Sequence, residues 1–363
     1  MKKIFWIAGE NSSDLHASIV IKVLNKRDIK LQHLGIGGPE MQANGFDAIF
    51  PFERFSVMGF LEVLKHLFFF INVEKQIKKL FFSSKPDLVV LVDYPGLNMR
   101  IAKLAKGFGI PVLYFICPQF WAWKKNRLLK LKKFTDHISF ILPFEKKYLD
   151  EYKIPSTYVG HPIAEEIVIG SNKKDLAEKY NLDLNKKWLG FLPGSRNTEI
   201  RKILPQYLKA IKKFDPAQYE FLISKATTIS DILFHKLIAS YDLPKISFIK
   251  NDNYSLMKHC DFIVAKSGTS SLETAYIGTP FIIVYKTSKI SYEIGKRFIT
   301  INRIGLPNII LDKDLAPELI QDKANAENIY FNVTDILNSK EKCQTFHNEL
   351  KKLHSILGNK SAS

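Results

Sequence analysis

The sequence predicts two doubly wound α/β domains in tandem, followed by a helical C-terminal tail. With 363 residues, the chain is too long for one compact core of ordinary size. Short apolar runs without alternation recur between stretches of helical periodicity, which is typical of parallel strands covered by helices on both faces. The pattern occurs twice, so we expect domains at residues 1–165 and 166–330 and a tail at 331–363. Two such domains would face a cleft at the carboxyl ends of their sheets.

The first half alternates apolar runs with helical patterns. The predicted strands are residues 4–8, 31–36, 88–92, 112–117 and 137–142. The predicted helices lie near residues 15–25, 58–82, 97–107, 121–133 and 145–152. Residues 158–162 are typical of a last strand that leaves the domain, and the polar stretch after them is a candidate linker.

The second half repeats this organisation. Its predicted strands are residues 188–192, 221–223, 246–249, 262–265 and 281–284. Residues 315–357 have helical periodicity and little strand character, so they are predicted to form a helical tail.

Composition restricts the partners and the compartment. The net charge of +17 implies an anionic partner or surface, although a genome that favours lysine codons would explain it too. Three scattered cysteines argue against a disulfide framework and favour a reducing compartment. No run is long and apolar enough for a signal peptide or a membrane span, so we expect a soluble or peripheral protein.

Two segments of the second half have the pattern of anion-binding turns. Leu-Pro-Gly-Ser-Arg at 192–196 and Ser-Gly-Thr-Ser-Ser-Leu-Glu at 267–273 each connect a predicted strand to a predicted helix. Backbone N–H groups at such a helix start favour an anion such as a diphosphate. An arginine would pair with phosphate oxygens, and a glutamate could accept hydrogen bonds from ribose hydroxyls. The predicted nucleotide ligands are Gly194, Ser195, Arg196, Ser267, Gly268, Thr269 and Glu273.

Two segments of the first half carry candidate acid–base groups. The turn at 9–16 brings Glu10, Ser12, Asp14 and His16 to the predicted cleft, with ordinary helix capping as the alternative. Asp93 follows the strand at 88–92, where a partly desolvated carboxylate could act as a general base. Capping of the next helix is the alternative role for Asp93.

A third segment suggests contact with lipid. The helix at 58–82 is apolar on several faces and flanked by lysines, which suits a membrane interface or an acyl-chain groove; a fully buried helix is the alternative. The residues predicted to contact lipid are Phe60, Leu64, Phe68, Phe69 and Phe70.

Six basic residues at 124–133 follow Trp121 and Trp123 and favour anionic headgroups over nucleic acid, with a solvated helix face as the alternative.

Metal and cofactor signals are weak. The nine histidines include no pair at helical spacing, and there is no Cys-x-x-Cys. The Asp-x-Asp at 312–314 is weak evidence for a divalent ion, and the Gly-rich turn at 35–39 lacks the full dinucleotide fingerprint. We therefore expect no metal and no nicotinamide cofactor.

The ordered set of these motifs resembles the lipid-A-disaccharide synthases through nearly the whole chain. The matching stretches are residues 9–16, 37–41, 55–64, 93–98, 118–123, 142–145, 159–162, 192–196, 267–273, 306–308 and 317–319. The resemblance implies a GT-B fold of two Rossmann-like domains and an inverting, metal-independent glycosyl transfer. The donor would be UDP-2,3-diacylglucosamine and the acceptor 2,3-diacylglucosamine 1-phosphate (lipid X). The products would be UDP and a β(1→6)-linked tetraacyldisaccharide 1-phosphate, an intermediate of lipid A.

The resemblance also assigns roles and a location. It places Asp93 as the base with Glu10 beside it, UDP at the two turns of the second half, and Asn98 and Asn308 in the cleft. The enzyme would lie peripherally on the cytoplasmic face of the inner membrane of a Gram-negative bacterium and would not bind nucleic acid. A homodimer is left open.

Three departures from the family pattern bear on the site. Ser13 and Ala17 replace glycines of the first turn, which should restrict positive φ there. Lys266 stands before the Ser-Gly-Thr turn, where a small residue is more common, and would either add a phosphate contact or block one. Two alternatives to the transferase remain at this point: a UDP-N-acetylglucosamine epimerase, and a non-catalytic lipid- or nucleotide-binding relative.

Overall fold

The computed structural model describes residues 1–56, 67–118, 120–122, 126–298 and 302–358. The chain divides into two compact units, Met1–Pro162 and the described residues from Ile163 onward.

The first unit is built on a seven-stranded, fully parallel sheet with the order β3-β2-β1-β4-β5-β6-β7. The strands are β1 Lys2–Ala8, β2 Leu31–Ile36, β3 Phe46–Ala48, β4 Leu88–Val92, β5 Val112–Phe115, β6 His137–Phe140 and β7 Ser156–Tyr158. The chain winds outward from β1 to one edge and then from β4 to the other. The carboxyl ends of β1 and β4 therefore form the switch point at which ligands of such sheets bind.

Helices connect these strands. They are Asn11–Leu24, Pro39–Gln42, Glu53–Ser56, Leu67–Ser83, Pro95–Gly107, Asn126–Phe134 and Glu145–Glu151, with a 3₁₀ turn at Phe120–Ala122. The apolar strand residues are buried because helices cover both faces; Phe5, Ile7 and Leu91, for example, have no exposed surface.

The second unit contains a six-stranded parallel sheet with the equivalent order, β10-β9-β8-β11-β12-β13. Its strands are β8 Lys187–Leu192, β9 Tyr219–Ser224, β10 Ile246–Ile249, β11 Phe262–Lys266, β12 Phe281–Tyr285 and β13 Glu318–Ile320. Its switch point lies at the carboxyl ends of β8 and β11, the two strands that precede the predicted anion-binding turns.

The helices of the second unit are Ile163–Glu166, Lys173–Tyr180, Asn197–Ile211, Asp231–Ile238, Asn253–His259, Thr269–Ile277, Lys289–Phe298, Leu306–Leu311, Ala326–Leu337 and Lys340–Leu357, with a 3₁₀ turn at Gln321–Lys323.

The last two helices complete the core of this unit. Helix Ala326–Leu337 buries Ile329 and Val333 and packs beside helix Asn197–Ile211. Helix Lys340–Leu357 packs against helix Thr269–Ile277, where the His354 ring stacks on Tyr276 with 4.3 Å between centroids. The C-terminal helices are therefore part of the second unit.

The predicted architecture of two parallel-sheet α/β domains with a helical C-terminal end is confirmed. Two strands of three residues, β3 and β13, were not predicted, and β13 lies within 315–357, where little strand character was expected. Both lie at sheet edges, where three residues are too few to produce an apolar run. Of the helix predicted at 58–82, residues 58–66 lie outside the described residues.

Candidate active site

The candidate catalytic groups of the first unit lie where β1 and β4 end side by side. Asp93 follows β4, and Glu10 follows β1 as the N-cap of helix Asn11–Leu24. Gly9 allows this approach, since a Cβ atom there would lie 3.0 Å from the Tyr94 ring. The charges of Glu10 and His16 both act on Asp93, so the three predicted groups are brought together.

The backbone at Asp93 is held in an unusual conformation. Asp93 and Tyr94 have φ values of 44° and 42°, in the left-handed region that side chains other than Gly rarely adopt. The Tyr114 hydroxyl and Asn98 Nδ2 donate to the Asp93 carbonyl at 2.5 and 2.8 Å. This strain at a strand end is stabilised by fully buried partners, as at many functional sites. Neither residue has a local sequence signal for positive φ, and Tyr114 was not predicted.

The electrostatic environment of Asp93 suits a base. Burial and the nearby Glu10 carboxylate raise its pKa to about 6, against the opposing effects of the Tyr94 amide and His16. A carboxyl with this pKa is mostly ionised at neutral pH and binds a proton more readily than an ordinary aspartate.

Asp14, in the segment at residues 9–16, has a structural role. Asp14 is buried, and its carboxylate accepts hydrogen bonds from the amides of Gly38, Glu40 and Met41 at 2.7–3.2 Å. Asp14 thus holds the following loop, while Ser12 is exposed on the first turn of the helix. Ser13 and Ala17 both lie inside helix Asn11–Leu24, and neither has a positive φ.

A buried carboxyl that was not predicted as functional lies in the same unit. Glu145 is 1% exposed and accepts hydrogen bonds from Trp121 Nε1 at 3.1 Å and from the Leu142 amide at 3.2 Å. Burial raises the pKa of Glu145 to about 8, so it carries a proton at neutral pH. Trp121 is itself buried, which contradicts the prediction that it is an interfacial tryptophan; Trp123 lies outside the described residues.

Of the residues predicted to contact lipid, Phe60 and Leu64 lie outside the described residues. Phe68 is 85% exposed. Phe69 is half-buried, with its ring 5.1 Å from that of Phe55, and Phe70 is buried. The exposed face of helix Leu67–Ser83 also carries Phe82, and its lysines are Lys75, Lys78 and Lys79.

The predicted anion-binding turn at residues 192–196 already binds a carboxylate of the protein itself, that of Glu199. Gly194 has a φ of 107°, and the Glu199 carboxylate lies against it. Glu199 Oε2 accepts from the amides of Ser195 and Arg196 at 3.2 and 3.4 Å, as in a helix capping box. The prediction that these amides are available to a diphosphate is therefore wrong for this structure. The Arg196 side chain remains 64% exposed.

The other predicted anion-binding turn, at residues 267–273, leads from strand β11 into helix Thr269–Ile277. Gly268 has a φ of 142°, and the Ser267 hydroxyl donates to the Ile304 carbonyl at 3.3 Å. The first amides of a helix have no partner within it, so those at Thr269 and the following residue can bind an anion. Glu273 lies one turn further on, where its Oε1 accepts from the Tyr254 hydroxyl at 3.2 Å.

Asn308 has a supporting role. It is buried, and its side chain exchanges hydrogen bonds of 2.8 and 2.9 Å with the backbone of Ala316. Its Nδ2 also donates to Glu318 at 2.9 Å, and that carboxylate in turn binds the amides of Ile304 and Gly305. Asn308 and Glu318 therefore fix the loop beneath Ser267.

The Asp-x-Asp does not form a metal cluster. Arg303 donates to Asp312 and Asp314 at 2.6 Å each, so the two carboxylates share one guanidinium as their ionic partner. Within the described part of the chain, no three His, Cys, Asp or Glu side chains are grouped to hold a metal ion.

Comparison with known proteins gives a consistent family. The family model described as lipid-A-disaccharide synthetase matches residues 4–363. The chain is 34% identical to the lipid-A-disaccharide synthase of Trichlorobacter lovleyi, over 98% of this chain and 94% of that protein. It is 36% identical to the enzyme of the same name from Nitrosococcus oceani, over 97% of this chain and 91% of that protein.

Solved structures support the fold alone. The UDP-GlcNAc 2-epimerase of Neisseria meningitidis bound to UDP-GlcNAc aligns with a TM-score of 0.64 at 14% identity, over 97% of this chain and 98% of that one. The calicheamicin glycosyltransferase CalG4 aligns with a TM-score of 0.59 at 13% identity, over 98% and 95%.

Proposed function

The chain belongs to the lipid-A-disaccharide synthase family, and on that premise we propose which residues carry the reaction and which substrates they bind. The protein is a glycosyltransferase of lipid A biosynthesis. We propose UDP-2,3-diacylglucosamine as its donor and 2,3-diacylglucosamine 1-phosphate as its acceptor. The likeness to the Neisseria meningitidis epimerase is at 14% identity and concerns the fold only.

Asp93 is the proposed general base. The acceptor's primary hydroxyl attacks the anomeric carbon of the donor, its proton passes to the Asp93 carboxylate, and the bond to UDP breaks with inversion. The observation that carries this role is the raised pKa of a carboxylate at the β1/β4 switch point. Glu10 and His16 act on its charge, and Tyr114 and Asn98 hold its backbone.

The turns of the second unit are the proposed site of the departing UDP. The amides at Thr269 and the exposed guanidinium of Arg196 would stabilise charge on the diphosphate. Glu273 would accept hydrogen bonds from the ribose in place of the Tyr254 hydroxyl it now binds. Since Arg303 already pairs with both carboxylates of the Asp-x-Asp, we propose that these groups, and no metal ion, balance the charge of the leaving group.

The proposed location is the cytoplasmic surface of the inner membrane of a Gram-negative bacterium. No described helix is both long and apolar enough to span a bilayer. Helix Leu67–Ser83 instead exposes Phe68 and Phe82 at its two ends and lysines between them. Apolar rings with lysines suit peripheral binding to acidic headgroups.

Product analysis tests the assignment. The full chain is incubated with both proposed substrates, UDP is quantified, and the lipid product is identified by mass spectrometry. One disaccharide 1-phosphate per UDP supports the proposal. An epimerised sugar nucleotide, or binding without turnover, refutes it.

A further inference from the structure

We propose that Lys266 is a direct ligand of the donor's diphosphate, and that Glu199 is an internal counter-ion that holds its ammonium group at the site before the nucleotide binds. This inference rests on the proposed function, since it concerns the same nucleotide site. It assigns a role to a residue that replaces the small residue usual in the family.

The position of Lys266 is the first argument. It is the last residue of β11, immediately before the Ser267 turn, and its side chain is only 18% exposed. Its Nζ lies 3.3 Å from the point where a Cβ atom on Gly268 would stand. The ammonium group therefore lies over the turn that leads into the start of helix Thr269–Ile277, where an anion is expected.

The partner of Lys266 is the second argument. Its Nζ lies 2.8 Å from Glu199 Oε1, the one ionic partner that the described residues provide for it. An ammonium group has three donors, so further donors of Lys266 can bind phosphate oxygens. A lysine held by one carboxylate at the edge of a site can contact an anion with little additional ordering of its side chain.

Glu199 is the third feature that supports this role. Its carboxylate accepts hydrogen bonds from the amides of Ser195 and Arg196, so these two donors are not free at the turn of residues 192–196. A diphosphate that approaches this turn would meet a negative charge. We therefore place the diphosphate at the turn that leads into helix Thr269–Ile277. Lys266 screens the Glu199 charge on the side that faces this turn, together with Arg196, whose Nη1 lies 3.8 Å from the same oxygen. Without these cations the carboxylate would repel the diphosphate.

Calorimetric titration of UDP into the full chain tests the proposal. Lys266→Ser should weaken UDP binding by about tenfold or more, because a charge-assisted contact is lost. Lys266→Arg should retain most of the affinity. Lys187→Ser is the matched control: Lys187 is an exposed residue at the opposite, amino-terminal end of the same sheet, and the substitution removes the same charge.

A double-mutant cycle separates direct contact from screening. If Lys266 only neutralises Glu199, the double variant Lys266→Ser, Glu199→Gln will bind UDP as tightly as the Glu199→Gln protein, which would overturn the proposal. If Lys266 contacts the diphosphate, the double variant stays at least several-fold weaker than Glu199→Gln alone. Unchanged affinity in Lys266→Ser also overturns it. Absence of UDP binding by the unmodified protein would instead refute the proposed function.

Discussion

The role of Asp93 as a base can be tested through its neighbour Glu10. The difference between 3.8 and about 6 is about 2 pKa units, or about 3 kcal/mol against the charged form of Asp93. Burial contributes most of it, and the Glu10 carboxylate is the second cause. Glu10→Gln removes this charge and keeps the size of the side chain. The pKa of Asp93 should therefore fall, yet stay above 3.8 because the burial persists.

The assay is the pH profile of kcat/KM, measured from pH 4.5 to 8 as UDP release. A base is active when deprotonated, so the rate of the unmodified enzyme should rise with pH through a midpoint near 6. In Glu10→Gln the midpoint should lie at lower pH, whatever the height of its plateau. At pH 5 only about a tenth of an acid with a pKa of 6 is ionised, so the variant should keep a larger share of its own plateau rate there.

The control is Glu151→Gln, which removes the same charge from an exposed position at the end of helix Glu145–Glu151. Its midpoint should equal that of the unmodified enzyme. An identical midpoint in Glu10→Gln, or no acid limb near pH 6 in the unmodified enzyme, would refute the argument that this pair of carboxylates sets the base.

Three further predictions concern single residues. Asp93→Asn should lower kcat by about 10²- to 10⁴-fold, the usual contribution of a general base, while calorimetry shows unchanged UDP affinity; retained turnover would exclude Asp93 as base. Arg196→Ala should weaken UDP binding by about tenfold, because an exposed guanidinium is lost from the site, and an unaltered dissociation constant would contradict its phosphate role. Phe68→Ser should reduce co-sedimentation with vesicles rich in anionic lipid without changing the midpoint of thermal unfolding, since the ring is 85% exposed. Phe331→Ser, which removes a 63% exposed ring from the second unit, is the control and should bind vesicles as the unmodified protein does.

The strands that could be predicted from the sequence are mainly those in which several consecutive residues are apolar. β4 has the predicted bounds because it is a continuous apolar run that is buried from Val89 to Val92. β10 also has the predicted bounds, although Ser247 interrupts its apolar residues. The short edge strands β3 and β13 give no such run. Their pairing depends on neighbours fixed elsewhere in the fold, which periodicity cannot show.

The candidate site was predictable at the level of chain segments, because parallel sheets place ligands at strand ends. Local spacing did not show which polar groups are already occupied. Asp14 binds amides 24 or more residues away, and Glu199 pairs with Lys266 across 67 positions. The capping box could have been predicted, because Glu199 lies three residues after the N-cap Arg196. The ion pair between Glu199 and Lys266 has no such local sequence signal.

The packing of the last helix has a consequence for biogenesis. Helix Lys340–Leu357 packs against helix Thr269–Ile277, and its Phe346 lies beside Phe281 of strand β12. The second unit thus lacks one of its packed helices until residue 357 has been synthesised, whereas the strands of the first unit are complete by Tyr158. During synthesis the first unit can fold early, while the second exposes apolar surface to chaperones until helix Lys340–Leu357 has been made.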